Sequence, residues 1–361
     1  GDVDPIKAAS LKLPYSDERV IHFGLIPRSH RCIFVINELP DLQARIQVAL
    51  FNILQEGDIQ IRGFKLRLPL EIQFVFTANP EDYTNRGSIV TPLKDRIGSQ
   101  ITTHYPKTIE IGKKITQQEA RLKEEQRKMV SFNEITKDLI EQISFEARKS
   151  EYVDAKSGVS ARLTISAFEN LIATAERRSI INNEKSTNVR ISDFIGVVSA
   201  ITGKVELVYE GEQEGPGIVA QNLIGKAIRT QFVNYFPDPD KFRKQKDKNP
   251  YKKITDWFGE GNTIDLLHDM SNADFEKALK NIPGLSDLIN EYHKGQEQSI
   301  KLFFMEFALH GLAEYSLISK HGLTSGHQFK DLLSSMFSVP KPGDDEDFDD
   351  DDKEAFGGRR N

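Results

Sequence analysis

Cysteine is almost missing from this chain. Its single residue, Cys32, excludes an intramolecular disulfide framework and any zinc site built from several cysteines. It also points to a reducing compartment, the cytoplasm. No stretch approaches the roughly 20 consecutive apolar residues that a membrane-spanning helix needs. The opening Gly1-Asp2-Val3-Asp4-Pro5 has neither the basic nor the apolar segment of a signal peptide. Positive charge is not in excess. The formal net charge is -6, so the surface as a whole does not advertise nucleic-acid binding. No internal repeat is visible. Residues 1–361 also lack a Gly-x-x-x-x-Gly-Lys-Ser/Thr phosphate loop. Gly225-Lys226 has neither the preceding glycine nor the following hydroxyl, and Gly112-Lys113-Lys114 fails likewise.

What is present suits a soluble globular protein of two or three domains: 361 residues, 38% hydrophobic and 28% charged. Residues 1 to 107 read as α/β. The continuous apolar run Arg31-Cys32-Ile33-Phe34-Val35-Ile36 predicts a strand buried on both faces. Leu42, Ile46, Ala49, Leu50, Ile53 and Leu54 recur at helical spacing until Gly57. Ile59, Ile61, Leu66 and Leu68 alternate across Gly63-Phe64 as in a β-hairpin. A second buried strand is predicted from Ile72 to Phe76.

From 108 to 205 the spacing turns helical. Thr116-Gln117-Gln118-Glu119 has the capping-box pattern and predicts a helix from there through Met129. Ile135, Leu139, Ile140 and Ile143 mark a second helix. Thr164 and Ser192 are expected N-caps of two more. The acidic, Gly-rich Tyr209-to-Gly217 stretch reads as a linker. Residues 218–336 are again helix-rich, with the strongest apolar stripe at Ile300, Phe303, Phe304, Phe307, Leu312 and Tyr315. Lys241 to Lys253 is locally basic, a solvated loop or a binding patch. Residues 337–361 form an acidic tail, expected to be disordered. The fold class is thus α/β followed by all-α.

Nucleotide hydrolysis needs a phosphate cradle, magnesium, an oriented water and positive charge for the transition state. The first strand ends at Ile36-Asn37-Glu38, and carboxyl ends of parallel strands are where α/β folds bind ligands. Glu38 there can polarise a water. Asn37 can reach magnesium but brings no charge. The same residues also fit a plain strand-to-helix turn. Asn79 ends the second strand in Thr77-Ala78-Asn79-Pro80. Its amide can orient water or contact a γ-phosphate, or simply form an Asx turn before Pro80. Arg96, in Leu93-Lys94-Asp95-Arg96, fits an arginine finger or an ion pair with Asp95. Arg162 precedes a helix start and can reach a phosphate or remain solvated.

Taken in order, these pieces resemble the AAA+ ATPase of magnesium chelatase and the MoxR-type ATPases. Strand plus Asn37-Glu38, helix, hairpin, second strand plus Ala78-Asn79-Pro80, Leu93 to Arg96 and a helical subdomain follow that family's sequence. So does the entry segment Phe23 to Arg31. The resemblance covers roughly residues 1–205, over half the chain. It implies a partial AAA+ core with a helical lid, and ATP and magnesium as cofactors. Asn37-Glu38 is similar to Walker B, with both residues near magnesium and Glu38 catalytic. Asn79 resembles sensor 1, Arg96 the arginine finger and Arg162 a nucleotide-contacting sensor 2. Arg86 resembles a second finger candidate. Family members usually carry aspartate where this chain has Asn37, and the Walker A loop is expected before Gly1. The resemblance further implies self-assembly into a ring, a hexamer, that remodels a partner protein, one with a von Willebrand A domain. Two other classes remain open. One is a non-hydrolysing AAA+ scaffold or regulator. The other is a transcription activator of the σ54-dependent type, against which stands the absence of a Gly-Ala-Phe-Thr-Gly-Ala loop and of a C-terminal helix-turn-helix.

Overall fold

The computed structural model describes residues 1–61, 67–79, 88–242 and 248–332. The chain divides into two compact units, Gly1–His104 and Tyr105–Asn361. Arg86, Leu66, the Gly63-Phe64 turn, Pro80, part of the basic stretch and the acidic tail lie outside the described residues.

The first unit runs β1 (Asp2–Val3), α1 (Pro5–Leu11), β2 (Ile21–His22), α2 (Leu25–Arg28), β3 (Ile33–Ile36), α3 (Ala44–Glu56), β4 (Asp58–Gln60), β5 (Arg67–Pro69), β6 (Gln73–Phe76) and α4 (Thr91–Lys94). β3 and β6 pair in parallel, Ile33 opposite Gln73 and Ile36 opposite Phe76. The expected hairpin strands pair as β4 and β5, Ile59 opposite Leu68. Gly57 ends α3 with φ 64°, the left-handed cap that glycine adopts without steric cost. One small core lies under β1, β2 and α1 around Ala8, Val20, Ile21 and Ile61. A second packs Ile36, Phe74 and Phe76 against Leu50 and Ile53 of α3 and Leu93 of α4.

One expectation for this unit is corrected. β3 is not buried on both faces. Ile33 and Val35 are 69% and 52% exposed, and Val75 on β6 is 42% exposed. α3 covers one face of a two-stranded sheet, and among the described residues nothing covers the other. Cys32, directly before β3, is also exposed.

The second unit is mainly helical. It contains α5 (Ile109–Glu119), α6 (Glu124–Met129), β7 (Val130–Ser131), α7 (Glu134–Lys149), α8 (Arg162–Ile181), β8 (Thr187–Asn188), α9 (Ile195–Thr202), α10 (Tyr209–Glu214) and α11 (Pro216–Tyr235). Then follow α12 (Lys252–Gly259), β9 (Ile264–Leu267), α13 (Asn272–Lys280), α14 (Leu285–Tyr292), α15 (Gln298–Glu314), β10 (Ser319–Leu323) and β11 (Gly326–Lys330). One hydrophobic core runs from Ala120 to Phe329. It takes in residues from both sides of the expected linker.

That linker is helix. Tyr209–Glu214 turns its acids to solvent, and Gly211 lies so close to the Tyr152 carbonyl that a Cβ would stand 2.5 Å from it. Pro216 then opens α11, its missing N–H costing nothing at a helix start. Three further corrections concern caps. Thr108, not Thr116, caps α5, accepting from Ile111 N. Thr116 lies inside that helix, which ends at Glu119 rather than continuing to Met129. Thr164 is within α8 and donates to the Ala161 carbonyl. Ser192 starts a 3-10 turn, where the capping acceptor is Asp193, receiving Arg190 N at 2.8 Å. The all-α expectation also fails at the end of the chain, where β10, β11 and β9 form an antiparallel sheet in that order. Gln328 and His327 on β11 are too polar to announce a strand by alternation.

Buried polar groups tie this unit together. Arg178 on α8 grips Asp193 with two 2.9 Å hydrogen bonds, both side chains 1% exposed. The same guanidinium donates to Thr187 Oγ1 and the Asn188 carbonyl, each at 2.8 Å. Glu306 of α15, fully buried, accepts Ile191 N at 2.6 Å and Ser192 N at 2.9 Å. Burial pushes its carboxyl up to about 7, against the pull of Arg190 and the two backbone donors. His327, on β11, is pushed the other way by burial, down to about 4.

These shifts have opposite consequences for pH. Glu306 is raised from 4.5 to about 7, so between those values the folded state holds more protons than the unfolded chain. Its contribution is fully present below 4.5 and is lost as pH rises through about 7. His327 is depressed from 6.5 to about 4, so its contribution is lost as pH falls through that window. Subtracting the stability of Glu306→Gln from that of the wild type isolates the first effect. The difference in unfolding free energy should fall by about 3 kcal/mol between roughly pH 4 and pH 8. Urea unfolding of both proteins at several pH values tests it, and a flat difference would refute the assignment.

Candidate functional site

The sequence-predicted chemistry in the first unit gathers at the carboxyl ends of β3 and β6. The parallel register puts Ile36 beside Phe76, so the residues that follow each strand emerge side by side. Asn37, Glu38, Thr77 and Asn79 are all exposed there. Thr77 joins the two strand ends. Its N–H donates to the Ile36 carbonyl at 3.0 Å, and its carbonyl accepts Leu39 N at 2.9 Å. Its hydroxyl accepts Glu38 N at 3.0 Å and points its own proton to Asn37 Oδ1 at 3.4 Å. No role was predicted for Thr77. The only signal was its position directly after an apolar run.

These bonds hold Glu38 in a left-handed backbone conformation, φ 52° and ψ 58°. A residue with a Cβ pays roughly 1–2 kcal/mol there, and such strain collects at functional positions. The chain then turns into a 3-10 helix, Leu39–Asp41, whose Leu39 and Pro40 are buried. The strand-to-helix turn is therefore present, and it leaves the Glu38 side chain outside. The Glu38 carboxylate and the Asn79 amide make no hydrogen bond or ion pair among the described residues. Both are free to engage a ligand or a water.

Arg96 is placed differently. Its guanidinium donates to Gln55 Oε1 at 3.1 and 2.6 Å and to the Pro92 carbonyl at 2.6 Å. It lies over the Phe51 ring, 5.1 Å from the centroid. The ion pair with Asp95 does not form. Arg96 is thus seated on α3, which also fixes the approach to α4. Gln47 accepts Val90 N at 2.9 Å and donates to the Leu42 and Ser88 carbonyls. Three of the five guanidinium N–H groups are used, leaving two without a bond among the described residues. No bond brings Arg96 to Glu38 or Asn79.

Arg162 belongs to the second unit. It is the first residue of α8 and is exposed. The segment before it is clamped. Val159 N donates to the Tyr105 hydroxyl at 3.0 Å, Arg148 donates to the Val159 carbonyl, and the Arg148 guanidinium sits 4.3 Å over the Tyr105 ring. Gly158, at φ 70°, leaves room for that tyrosine. Neither clamp residue was singled out from sequence. Among the described residues no cluster of three or more His, Cys, Asp or Glu side chains could hold a metal ion, and no helix is long and apolar enough to cross a membrane.

The strain at Glu38 yields a test that separates fold from chemistry. Glu38→Gly relieves the left-handed penalty but adds freedom to the unfolded chain, worth about 0.4–1 kcal/mol. The net outcome should be a gain of about 0.5–1 kcal/mol in stability. Chemical denaturation that instead shows a loss would mean the Glu38 side chain supports the fold.

No protein-family profile matches this sequence, and no curated protein matches it. Among solved structures, the chain is similar to one named a “putative ATPase” from Cytophaga hutchinsonii ATCC 33406, at 19% identity and a TM-score of 0.22. The match covers 53% of this chain and 64% of that one, so less than two thirds of that protein's length is spanned. At this identity and score the similarity assigns no activity here.

Proposed function

We propose that this chain is part of an AAA+ ATPase resembling the magnesium-chelatase and MoxR-type enzymes. One observation carries the reading. Two adjacent parallel strands end at Asn37-Glu38 and at Thr77, bonded to each other, with Asn79 two residues beyond Thr77 and neither the Glu38 carboxylate nor the Asn79 amide bonded among the described residues. That is the arrangement needed to polarise and orient a water beside a phosphate.

In this reading Glu38 accepts the proton of the attacking water. Asn79 holds that water or a terminal phosphate oxygen through its amide. Asn37, through its neutral oxygen, and Glu38 would hold magnesium. Magnesium, when bound, offsets phosphate charge. Arg96 serves the nucleotide of a neighbouring subunit in a ring, a hexamer, using the N–H groups that Gln55 and Pro92 leave free. Arg162 contacts ATP from the helical lid, its approach set by the Tyr105–Arg148 clamp. Hydrolysis then shifts the lid and remodels a partner protein, one with a von Willebrand A domain.

A second reading is favoured by Asn37 itself. An uncharged residue beside the catalytic acid weakens the hold on magnesium, as a non-hydrolysing scaffold or regulator of the same fold would tolerate. ATP turnover by the full-length gene product separates the two.

Two outcomes are expected of that product. Glu38→Gln should bind ATP normally and hydrolyse it about 100-fold or more slowly, because an amide is no base. Since the Glu38 carboxylate makes no bond within the chain, its melting temperature should barely change. Steady-state turnover at the wild-type rate would remove Glu38 from the mechanism.

The second concerns Arg96 across the subunit boundary. Arg96→Ala alone should lose about a thousandfold or more in rate. Mixing it with Glu38→Gln subunits should restore activity, because some interfaces then pair an intact Glu38 with a neighbour's intact Arg96. Native mass spectrometry confirms that mixed rings form. Mixed rings without recovery would place Arg96 outside the mechanism and leave it as the Gln55-bound anchor of α4.

A further inference from the structure

A cleft within the second unit has no place in this scheme. It opens to solvent between α5, α6, α7 and α8 and encloses a cavity of about 70 Å³. Its walls are apolar: Leu122, Ile140, Phe132 and Phe168, the two rings meeting edge to face at 5.0 Å. Two buried polar side chains, Thr116 and Glu141, also line it, Glu141 only 2% exposed. Thr116 Oγ1 donates to Glu141 Oε1 at 2.5 Å and lies 2.9 Å from Thr164 Oγ1. The other carboxylate oxygen sits over Gly112, where a Cβ would come within 2.3 Å of it.

Charge at this cleft is unevenly matched. Lys113 at the rim is committed to Glu110 at 2.7 Å and Asp138 at 2.8 Å, and Lys137 to Glu134 at 2.6 Å. Arg127, also at the rim, is exposed and has no ion pair among the described residues. Glu110, Asp138 and Glu134 are answered by Lys113 and Lys137 alone. Glu141 is left without a cation of its own. Burial pushes its carboxyl up, while Thr116, Thr164 and the more distant charges of Arg148 and Lys113 pull it down. A buried acid lacking a partner gains most from a cation brought to it, because the surrounding medium screens poorly. A mostly apolar cleft with few converging polar groups and a perturbed acid is the ordinary form of a small-molecule site.

We propose that this cleft binds an apolar organic amine, its ammonium group on Glu141 and Thr116 and its hydrocarbon or aromatic body against Phe132, Phe168 and Leu122. The apolar walls select the body and the unpaired carboxylate selects the head. The site is independent of the Glu38 region and of whether the protein hydrolyses ATP.

Isothermal titration of the 361-residue chain with three probes of one shape tests this. Phenethylamine should bind with a submillimolar dissociation constant. Phenethyl alcohol, its neutral counterpart, should bind at least about tenfold more weakly, and 3-phenylpropanoate should not bind. Glu141→Gln should weaken the amine about tenfold or more and leave the alcohol unchanged. Gln117→Trp, at the exposed rim, should block both. Equal binding of amine and alcohol would overturn the proposal, as would an unchanged affinity in Glu141→Gln or no amine binding up to about 10 mM. In those cases Glu141 serves only to bridge Thr116 and Thr164. Should Glu141→Gln fail to fold, the amine-to-alcohol contrast in the unaltered chain and its loss in Gln117→Trp decide the matter.

Discussion

The second unit depends on the grip of Arg178 on Asp193. With both side chains out of water, neither charge tolerates the loss of the other, and breaking such a pair typically costs about 3–5 kcal/mol. The pair does more than neutralise itself. Asp193 also accepts Arg190 N, which shapes the turn that aims Ile191 N and Ser192 N at Glu306. Arg190 in turn reaches the Met270 carbonyl and Asn272, with its guanidinium 4.0 Å over the Phe275 ring. Through these links α8, α13 and α15 share one polar framework inside one apolar core. The second unit, read from sequence as two helical regions joined by a linker, is for this reason a single packed body.

Much of the fold was legible because its signals are local. The runs before Asn37 and Asn79 announced strands, Gly57 announced a helix end, and Ile135 to Ile143 announced α7. The misreadings have a common physical source. Thr116 and Glu119 carry the capping-box spacing, but the hydroxyl of Thr116 answers to Glu141, 25 residues away, and no local pattern records that. Tyr209 to Gly217 is polar and Gly-rich, as linkers are. Its glycine is there because Tyr152 packs against it, a reason visible only in three dimensions. β9 to β11 escaped notice because a small edge sheet packed against α15 needs little alternation of its own.

The candidate site divides in the same way. Asn37, Glu38 and Asn79 were named from strand ends, and the parallel register brings those two ends together, with Thr77 bonded to Asn37 and Glu38. The left-handed turn at Glu38 and the bonds of Thr77 that hold it were not foreseen, since glutamate gives no sign of a positive φ. Arg96 was expected to be an arginine finger or an ion-pair partner of Asp95. Gln55 holds it instead, and glutamine in a helix carries no positional signature. Sequence thus named the candidate polar groups and missed the neutral residues that hold them.

The parallel pairing of β3 with β6 also bears on how the chain acquires its structure. Arg31 and Glu71, bonded at the start of this pair, are 40 residues apart in the chain. A helix and a hairpin must be accommodated before that contact forms, and the loop-closure entropy is spent before any burial repays it. Within the second unit α8 and α9 meet as near neighbours in sequence, but α11 packs on α7 and α15, each far from it along the chain. Pairing over such distances slows folding in both units. The open face of β3 and β6, with Ile33, Val35 and Val75 bare, is therefore the surface on which a nascent chain of this protein would first need a chaperone.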